Sequence, residues 1–368
     1  MHLTTPHLKL LALPLAATLA LVGCSKDDKS SDTTEKTTTT AAAAKAPSDS
    51  TITALTAKIA GGGASFPDAF YQAVNTDFNK VAGKELVTYA KSGSSDGRKQ
   101  LAAGTLDFAG SDSLPKPEET FNGKPILFFP TVAAPITVAY NLTGVKELQL
   151  SADTVAKIFQ AQITTWNDPA IKADNPKATL PSTNITVVHR SDGSGTTSNF
   201  TKFLKAAAPS TWTLDAGDTV NWPATTQGAE KNSGVAASIV QTDGAIGYVD
   251  LADAIKANLS VAKVKNADGE FVGPTADGVN AALESAEVAD NLTYNPLNAK
   301  GKGVYPITAP TYVLVYQAQT DPAKASTLKT WLQYTLTTGQ AQATNTGYVA
   351  LPPSLQTKAI DQIAKITG

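Results

Sequence analysis

A short apolar segment, a loop rich in glycine and serine, and a segment with helical spacing follow one another three times in this chain. The three loops lie at 61–64 (GGGA), 92–97 (SGSSDG) and 191–195 (SDGSG). This alternation of strand and helix predicts an α/β architecture. Where a strand leads through such a loop into a helix, unpaired backbone N–H groups and the positive end of the helix dipole converge, and this arrangement binds anions.

Hydroxyl side chains accompany these loops at Ser65, Ser94, Ser194 and Thr196, and hydroxyls are neutral donors that rotate to suit a small ligand. We predict Ser65 as the N-cap of the first helix, with Pro67 in the first helical turn. One loop of this kind is more often a capped helix start than a ligand site. The interpretation as an anion site therefore depends on the convergence of all three loops.

The chain has only two arginines among its 30 cationic side chains, and each adjoins one of the loops. Arg190 ends a predicted strand directly before loop 191–195, where its planar guanidinium suits two oxygens of a tetrahedral anion. Asp192 is placed to hold that guanidinium. A structural Arg–Asp pair at a loop is the alternative interpretation.

A carboxylate, Asp112, follows the predicted strand at 106–109. In an anion site, a carboxylate acceptor favours a protonated anion such as monohydrogen phosphate over sulfate, which has no proton to donate. The alternative is that Asp112 only caps the turn that follows it.

The N-terminus has the pattern of a secretory signal. Basic residues up to Lys9 precede an apolar run at 10–22, which is too short at about 13 residues to span a bilayer, and Cys24 follows it. This end resembles the lipobox of bacterial lipoproteins, which implies removal of signal peptide 1–23 and lipidation of Cys24. An ordinary signal peptide with a chance cysteine is the alternative. Residues 24–55 lack apolar periodicity and are predicted to form a flexible tether.

Composition excludes several kinds of site. Cys24 is the only cysteine, so the folded part has no disulfide, no thiolate metal site and no thiol nucleophile. His189 is the only histidine after the predicted signal peptide, which rules out a histidine-rich metal site. A formal net charge of −2 gives no basic surface for nucleic acid. We expect no metal and no cofactor.

Seven motifs together resemble the phosphate-binding protein of bacterial phosphate-specific ABC transporters, over about residues 59 to 350. They are GASFP at 63–67, GSSDG at 93–97, DFAGSD at 107–112, FPTV at 129–132, ITTWND at 163–168, RSDGSGT at 190–196 and GAIGYV at 244–249. The resemblance implies a type II periplasmic-binding-protein fold, in which two α/β domains enclose a ligand cleft and the chain crosses between them twice. We expect one domain at 56–133 plus 307–368 and the other at 134–306.

The resemblance also implies a function: binding of inorganic phosphate outside the cytoplasm and its delivery to the permease subunits of an ABC transporter, by a monomer anchored through its lipid alone. The ligand contacts that it implies are Ser65, Phe66, Ser94, Asp112, Arg190, Ser194, Gly195 and Thr196, with Asp192 orienting Arg190. Arg98 departs from the aliphatic residue of relatives, so it is expected outside this set as a charge at the rim. His189 has no ligand role in the pattern.

Three alternatives stay open from the residues alone. The first is a receptor for another oxyanion, arsenate included, or for a phosphate ester. The second is a serine hydrolase or phosphatase with Ser194 as nucleophile, but on a strand His189 and Arg190 face opposite sides, and no cluster for catalytic metals is recognisable. The third is an adhesive surface lipoprotein. We expect a binding protein without catalysis.

Overall fold

The computed structural model describes residues 45–368. The predicted signal peptide, Cys24 and most of the predicted tether lie outside the described residues. Within 45–368, no helix has both the length and the apolar character that a membrane crossing needs.

Thirteen strands are present in the described chain. They are β1 (Ile59–Gly63), β2 (Val87–Lys91), β3 (Phe108–Ser111), β4 (Ile126–Asn141), β5 (Gln149–Leu150), β6 (Thr186–Arg190), β7 (Gln227–Ala229), β8 (Ala245–Asp250), β9 (Ser260–Val261), β10 (Lys263–Lys265), β11 (Phe271–Val272), β12 (Thr308–Tyr316) and β13 (Val349–Ala350).

Twelve α-helices lie between these strands in the same range. They are α1 (Asp49–Thr53), α2 (Asp68–Ala82), α3 (Ser94–Ala102), α4 (Ala152–Phe159), α5 (Pro169–Asp174), α6 (Gly195–Ala207), α7 (Lys231–Gln241), α8 (Leu251–Lys256), α9 (Ala276–Glu284), α10 (Pro322–Leu336), α11 (Gln342–Asn345) and α12 (Pro353–Gln362). Short 3₁₀ turns occur at Phe121–Gly123, Thr338–Ala341 and Ile363–Lys365.

The central sheet has the strand order β2-β1-β3-β12-β4-β8-β6-β7, and β9 and β13 also pair with β4. The long strand β4 connects two parts of this sheet. Its residues 126–135 pair antiparallel with β12, and its residues 136–141 pair antiparallel with β8. We call β1, β2, β3, β12 and the first part of β4 the first half, and the second part of β4 with β6, β7, β8 and β9 the second half. A separate small sheet has the order β11-β10-β5.

Strands β1, β2 and β3 run parallel to one another, as do β6, β7 and β8. Helices that follow parallel strands start at the carboxyl edge of the sheet, where ligands of open α/β sheets bind. Helices α2 and α3 follow β1 and β2, and α6 follows β6. Each half of the sheet therefore brings helix N-termini to its carboxyl edge.

Aromatic packing fills the core on both halves. In the first half, the ring centroids of Phe108 and Trp331 lie 4.3 Å apart, and those of Tyr71 and Tyr89 lie 4.9 Å apart. In the second half, Phe200 stacks on Tyr248 at 4.4 Å. Such rings bury large apolar areas, so they supply much of the packing behind the strands and helices that form the carboxyl edge.

The glycines predicted as a turn at 61–64 instead form most of β1. Close packing explains the difference, since a Cβ on Gly61 would lie 2.0 Å from the Phe108 ring and one on Gly62 would lie 2.9 Å from the Ala90 carbonyl oxygen. Gly63 has a φ of +126°, a backbone conformation that residues other than glycine rarely adopt. The glycines therefore serve close contact within the sheet, and the loop after β1 begins at Ala64.

The predicted tether ends earlier than residue 55. Helix α1 begins with Ser48 as its N-cap and lies against α2 and α10. Ile52 on this helix is 0% exposed. Ile52 and Leu55, which is 6% exposed, pack this segment onto the core, a feature too short to stand out in a polar stretch of sequence.

We predict that Ile52→Ala lowers the free energy of unfolding by about 2–4 kcal/mol, because it removes buried methyl groups and leaves a cavity. Urea unfolding of the two proteins measures this difference. The matched control is the exposed neighbour Thr53, whose change to alanine should alter the free energy by no more than about 0.5 kcal/mol. Equal stability of Ile52→Ala and the wild type would mean that α1 does not contribute to the core.

Candidate anion-binding site

The starts of α3 and α6 touch each other across the two halves of the sheet. The Ser95 amide donates to the Gly193 carbonyl at 3.2 Å. A Cβ on Gly195 would lie 2.5 Å from Ser94 Oγ and 2.8 Å from Asp112 Cβ. The loops predicted at 92–97 and 191–195 therefore meet, and α3 begins at Ser94, inside the first of these predicted loops.

Backbone amides at this meeting point have no protein acceptor among residues 45–368. They belong to Ser65, Phe66, Ser94, Gly195 and Thr196. All five residues are buried. Unpaired buried N–H groups are rare in native proteins, and free N–H groups at helix starts attract anions.

Arg190 lies among these groups, buried at the end of β6. Its Nε donates to Asp192 Oδ1 at 2.6 Å, its Nη2 pairs with Asp192 Oδ2, and its Nη1 donates to Asn232 Oδ1 at 2.8 Å. Burial alone would raise the pKa of the Asp192 carboxyl, but the hydrogen bonds and charge of Arg190 hold that pKa below its usual range. A guanidinium has five N–H donors, so two remain for a ligand.

Asn232, at the start of α7, was not predicted from the sequence. It is fully buried, and its Nδ2 donates to Thr196 Oγ1 at 3.2 Å and to Asp250 Oδ2 at 2.7 Å. The backbone N–H of Asn232 donates to Ser65 Oγ at 3.2 Å. Asn232 thus joins Arg190, Thr196 and Ser65, and no local signal in its sequence marks it as different from any helix-start asparagine.

The prediction that Ser65 caps the first helix is wrong. Helix α2 begins at Asp68 with Pro67 in the N-cap position and no side-chain cap. Ser65 lies too far before the helix to cap it, and its hydroxyl accepts from Asn232 in the other half. Ser194, by contrast, is the N-cap of α6, and its Oγ accepts from the Thr197 amide at 3.1 Å.

Asp112 is buried at the end of β3. Its Oδ1 accepts from Thr311 Oγ1 at 2.7 Å, and its Oδ2 is 3.4 Å from Ser94 Oγ. Burial raises the pKa of Asp112 to about 7, although the hydrogen bond from Thr311 and the charge of Arg190 oppose the rise. These partners lie on other elements of the fold, so the carboxylate does not serve as a cap of its own turn.

Arg98 is not at the rim, contrary to expectation. It lies on α3, and its side chain is 1% exposed. Its Nη2 donates to Asp218 Oδ2 at 2.7 Å, and its Nε donates to Glu119 Oε2 at 2.5 Å. Two carboxylates offset the cost of burying this guanidinium, and neither could be identified from the sequence because both are distant along the chain.

The remaining predicted residues have structural surroundings. The Phe66 carbonyl accepts from Tyr348 Oη at 2.5 Å, which holds the free Phe66 amide in place. His189 Nδ1 lies 3.0 Å from the Arg190 carbonyl, and the imidazole stacks on Trp222 at 4.9 Å. It makes no hydrogen bond to Ser194 in the described chain. Residues 45–368 also contain no group of three or more His, Cys, Asp or Glu side chains that could hold a metal ion.

Comparison with known proteins identifies the fold. Residues 30–338 match the PBP superfamily domain. The solved structure of a phosphate-binding protein from Stenotrophomonas maltophilia superposes with a TM-score of 0.67 at 21% identity, over 83% of this chain and 94% of that one. A high-affinity periplasmic phosphate-binding protein, PfluDING, solved with phosphate bound, gives 0.70 at 24% identity over 83% and 93%. The type II periplasmic-binding-protein fold predicted from the sequence is confirmed.

Relatives of similar sequence identify the family of proteins within this fold. Phosphate-binding protein PstS of Xylella fastidiosa is 36% identical over 306 residues, which is 82% of this chain and 83% of that protein. Phosphate-binding protein PstS3 of Mycobacterium bovis is 33% identical over 367 residues, which is 95% and 96% of the two chains. The chain belongs to the PstS family of phosphate-binding proteins, the family that its motifs resemble.

The raised pKa of Asp112 predicts a pH-dependent loss of stability in the anion-free protein. As the pH rises from 4 to 8, the unfolded chain releases this proton first, so the folded state becomes less stable. Asp112→Asn has no such proton. We expect its unfolding free energy minus that of the wild type to grow by about 3–5 kcal/mol over this range, at about 1.4 kcal/mol per pKa unit. Urea unfolding at several pH values without phosphate measures it, and a constant difference would contradict the raised pKa.

Proposed function

We propose that this protein binds inorganic phosphate outside the cytoplasm and delivers it to an ABC transporter. The observation that carries the proposal is that five buried amides without an acceptor in residues 45–368 lie with Arg190, two of whose N–H groups also have no acceptor in that range. Donors at this density, in a place shielded from water, fit a small multivalent oxyanion. The names of the PstS relatives support phosphate as that oxyanion.

Asp112 gives the proposed site its selectivity. A carboxylate among donors accepts a hydrogen bond from the hydroxyl of monohydrogen phosphate, whereas sulfate has no hydroxyl and leaves two negative groups facing each other. A buried polar group left unpaired by the wrong ligand gives discrimination of about 10⁴ or more. Arsenate has the same protonation and shape, so the same site accepts it by this argument.

Closure of two domains over the ligand follows from where the contacts lie. We assign 56–133 with 307–368 to one domain and 134–306 to the other. Ser65, Ser94 and Asp112 then belong to the first domain, and Arg190 and Thr196 belong to the second. A ligand that binds both favours the closed state over the open one, and opening at the transporter releases it.

We further propose that the protein is secreted and lipid-anchored at the outer face of a bacterial membrane, as a monomer. The support is the apolar run followed by Cys24. Cleavage after residue 23 and acylation of Cys24 leave the polar residues before α1 as the tether. The permease subunits are then the protein partner, and the membrane is contacted through the lipid only.

Catalysis has no support from the geometry. A serine nucleophile needs a base within hydrogen-bond reach, and the His189 imidazole is held by the Arg190 carbonyl and by Trp222. A binding protein that releases its ligand unchanged accounts for the same residues.

Calorimetric titration of the full chain, dialysed free of anions, tests the function directly. We expect one phosphate per chain and no heat from sulfate at the same concentrations. Binding of neither anion would exclude the proposal and favour the adhesive lipoprotein. Binding of both with similar affinity would keep an oxyanion receptor but exclude selectivity for a protonated ligand.

Asp112→Asn should weaken phosphate binding and let sulfate bind, because an amide donates to sulfate where a carboxylate repels it. We expect the ratio of phosphate to sulfate affinity to fall by at least about tenfold. Competition titrations of the variant measure this ratio. Asp361→Asn, an exposed position on α12, is the control and should keep the wild-type ratio. An unchanged ratio in Asp112→Asn would refute the acceptor role.

A further inference from the structure

We propose that Arg98 and Asp218 form a latch between the two halves, which holds the closed state and sets the rate of anion release. Arg98 also neutralises Asp218 beside the anion site. This proposal rests on the proposed function and adds a positioning pair to it. We call this pair, together with Ser95, whose hydroxyl also donates to Asp218, the latch.

The latch joins elements of different halves. Arg98 and Ser95 lie on α3, which packs on β1 and β3. Asp218 lies in the loop between α6 and β7. Arg98 Nη2 and Ser95 Oγ both donate to Asp218 Oδ2 at 2.7 Å, and the Asp218 side chain is only 6% exposed. A charge pair this deeply buried is screened little by solvent, unlike a surface ion pair.

Each side of the latch is fixed to the anion site. On the first side, Arg98 Nη1 donates at 2.8 Å to both Ser111 Oγ and Ser113 Oγ, the two residues that flank Asp112. On the second side, the Asp218 carbonyl accepts from the Ser194 amide at 2.9 Å. Formation of the latch therefore positions Asp112 and the start of α6 relative to each other.

The negative charge of Asp218 would repel a bound anion, and the positive charge of Arg98 cancels this effect. Asp218 is near enough to Asp112 to help raise its pKa, so without a partner it would also repel an anion. Burial raises the pKa of Asp218, but the charge and hydrogen bond of Arg98 outweigh burial and hold that pKa below its usual range. Loss of Arg98 leaves a buried, uncompensated carboxylate beside the ligand, whereas loss of Asp218 leaves Arg98 paired.

The latch is built to open. When the halves separate, Arg98 keeps Glu119 and the two serine hydroxyls, all in or next to the first half. Asp218 becomes exposed to water, where a carboxylate needs no partner. Neither charge is left buried and unpaired in the open state, so the contact can form and break with each cycle of binding and release.

Asp218→Asn tests the latch with little change of shape. We expect phosphate to dissociate at least about tenfold faster, with a much smaller change in the association rate, because truncating a buried charge pair acts mainly on dissociation. Stopped-flow mixing measures both rates with the full chain, one experiment following binding of inorganic phosphate and the other its dissociation. The control is Asp107→Asn, which removes an ion pair of 2.8 Å with Lys324 inside the first half and should leave dissociation unchanged.

Arg98→Met tests the neutralisation. We expect it to weaken phosphate binding more than Asp218→Asn does, and the double variant Arg98→Met/Asp218→Asn to bind more tightly than Arg98→Met alone. This recovery is not expected of a merely structural arginine. A double variant as weak as the sum of the two changes would overturn the neutralising role. If Arg98→Met does not fold, the phosphate affinity of the double variant is compared with that of Asp218→Asn. Residue 218 is neutral in both proteins, so loss of the Arg98 charge should change the affinity little.

Small-angle scattering without anions separates the latch from the proposed function. We expect a larger radius of gyration for Asp218→Asn than for the wild type. Absence of phosphate binding by the wild type would defeat the proposed function, while the scattering comparison would still test the latch. Equal radii, together with an equal phosphate dissociation rate where phosphate binds, would overturn it.

Discussion

The fold brings together buried backbone N–H groups that have no acceptor within residues 45–368: those of Ser94, Gly195 and Thr196 at the starts of α3 and α6, and those of Ser65 and Phe66 before α2. Five buried amides and an arginine meet where the two halves of the sheet touch. Burial of unpaired donors costs free energy, and an anion that accepts from all of them offsets this cost. Under the proposed function, an anion of small size and high negative charge that binds donors of both halves therefore favours their closed arrangement.

Polar side chains hold this group of donors in place, and under the proposed function Asp112 gives it discrimination between anions. Asp192 holds Arg190 in a fixed orientation, and Asn232 ties that arginine to Ser65 in the other half. Asp112 is the costly member, because burial in such a place raises its pKa toward neutrality. A protein selected for stability alone would have a neutral residue here. The carboxylate fits a role in which it accepts a hydrogen bond from a protonated oxygen of the ligand.

Sequence reasoning succeeded where the chemistry is local. Motifs at strand ends predicted the loops around Ser94 and Ser194, and the two-residue spacing predicted the pairing of Arg190 with Asp192. It failed where contacts depend on tertiary structure. Nothing near Asn232, Asp218 or Thr311 shows that they reach the site, because their respective partners Thr196, Arg98 and Asp112 are 36 to 199 residues away along the chain. The glycines at 61–63 look like a turn until the Phe108 ring is seen against them.

A crystal structure of the protein crystallised with phosphate would show directly whether these donors bind the anion. The account predicts a single tetrahedral anion bound by the amides of Ser94 and Thr196 and by Arg190, with one ligand oxygen about 2.5–2.7 Å from a carboxylate oxygen of Asp112, the length of a charge-assisted O–H···O bond. Phosphate bound elsewhere, or bound here with Asp112 turned away from every ligand oxygen, would contradict it.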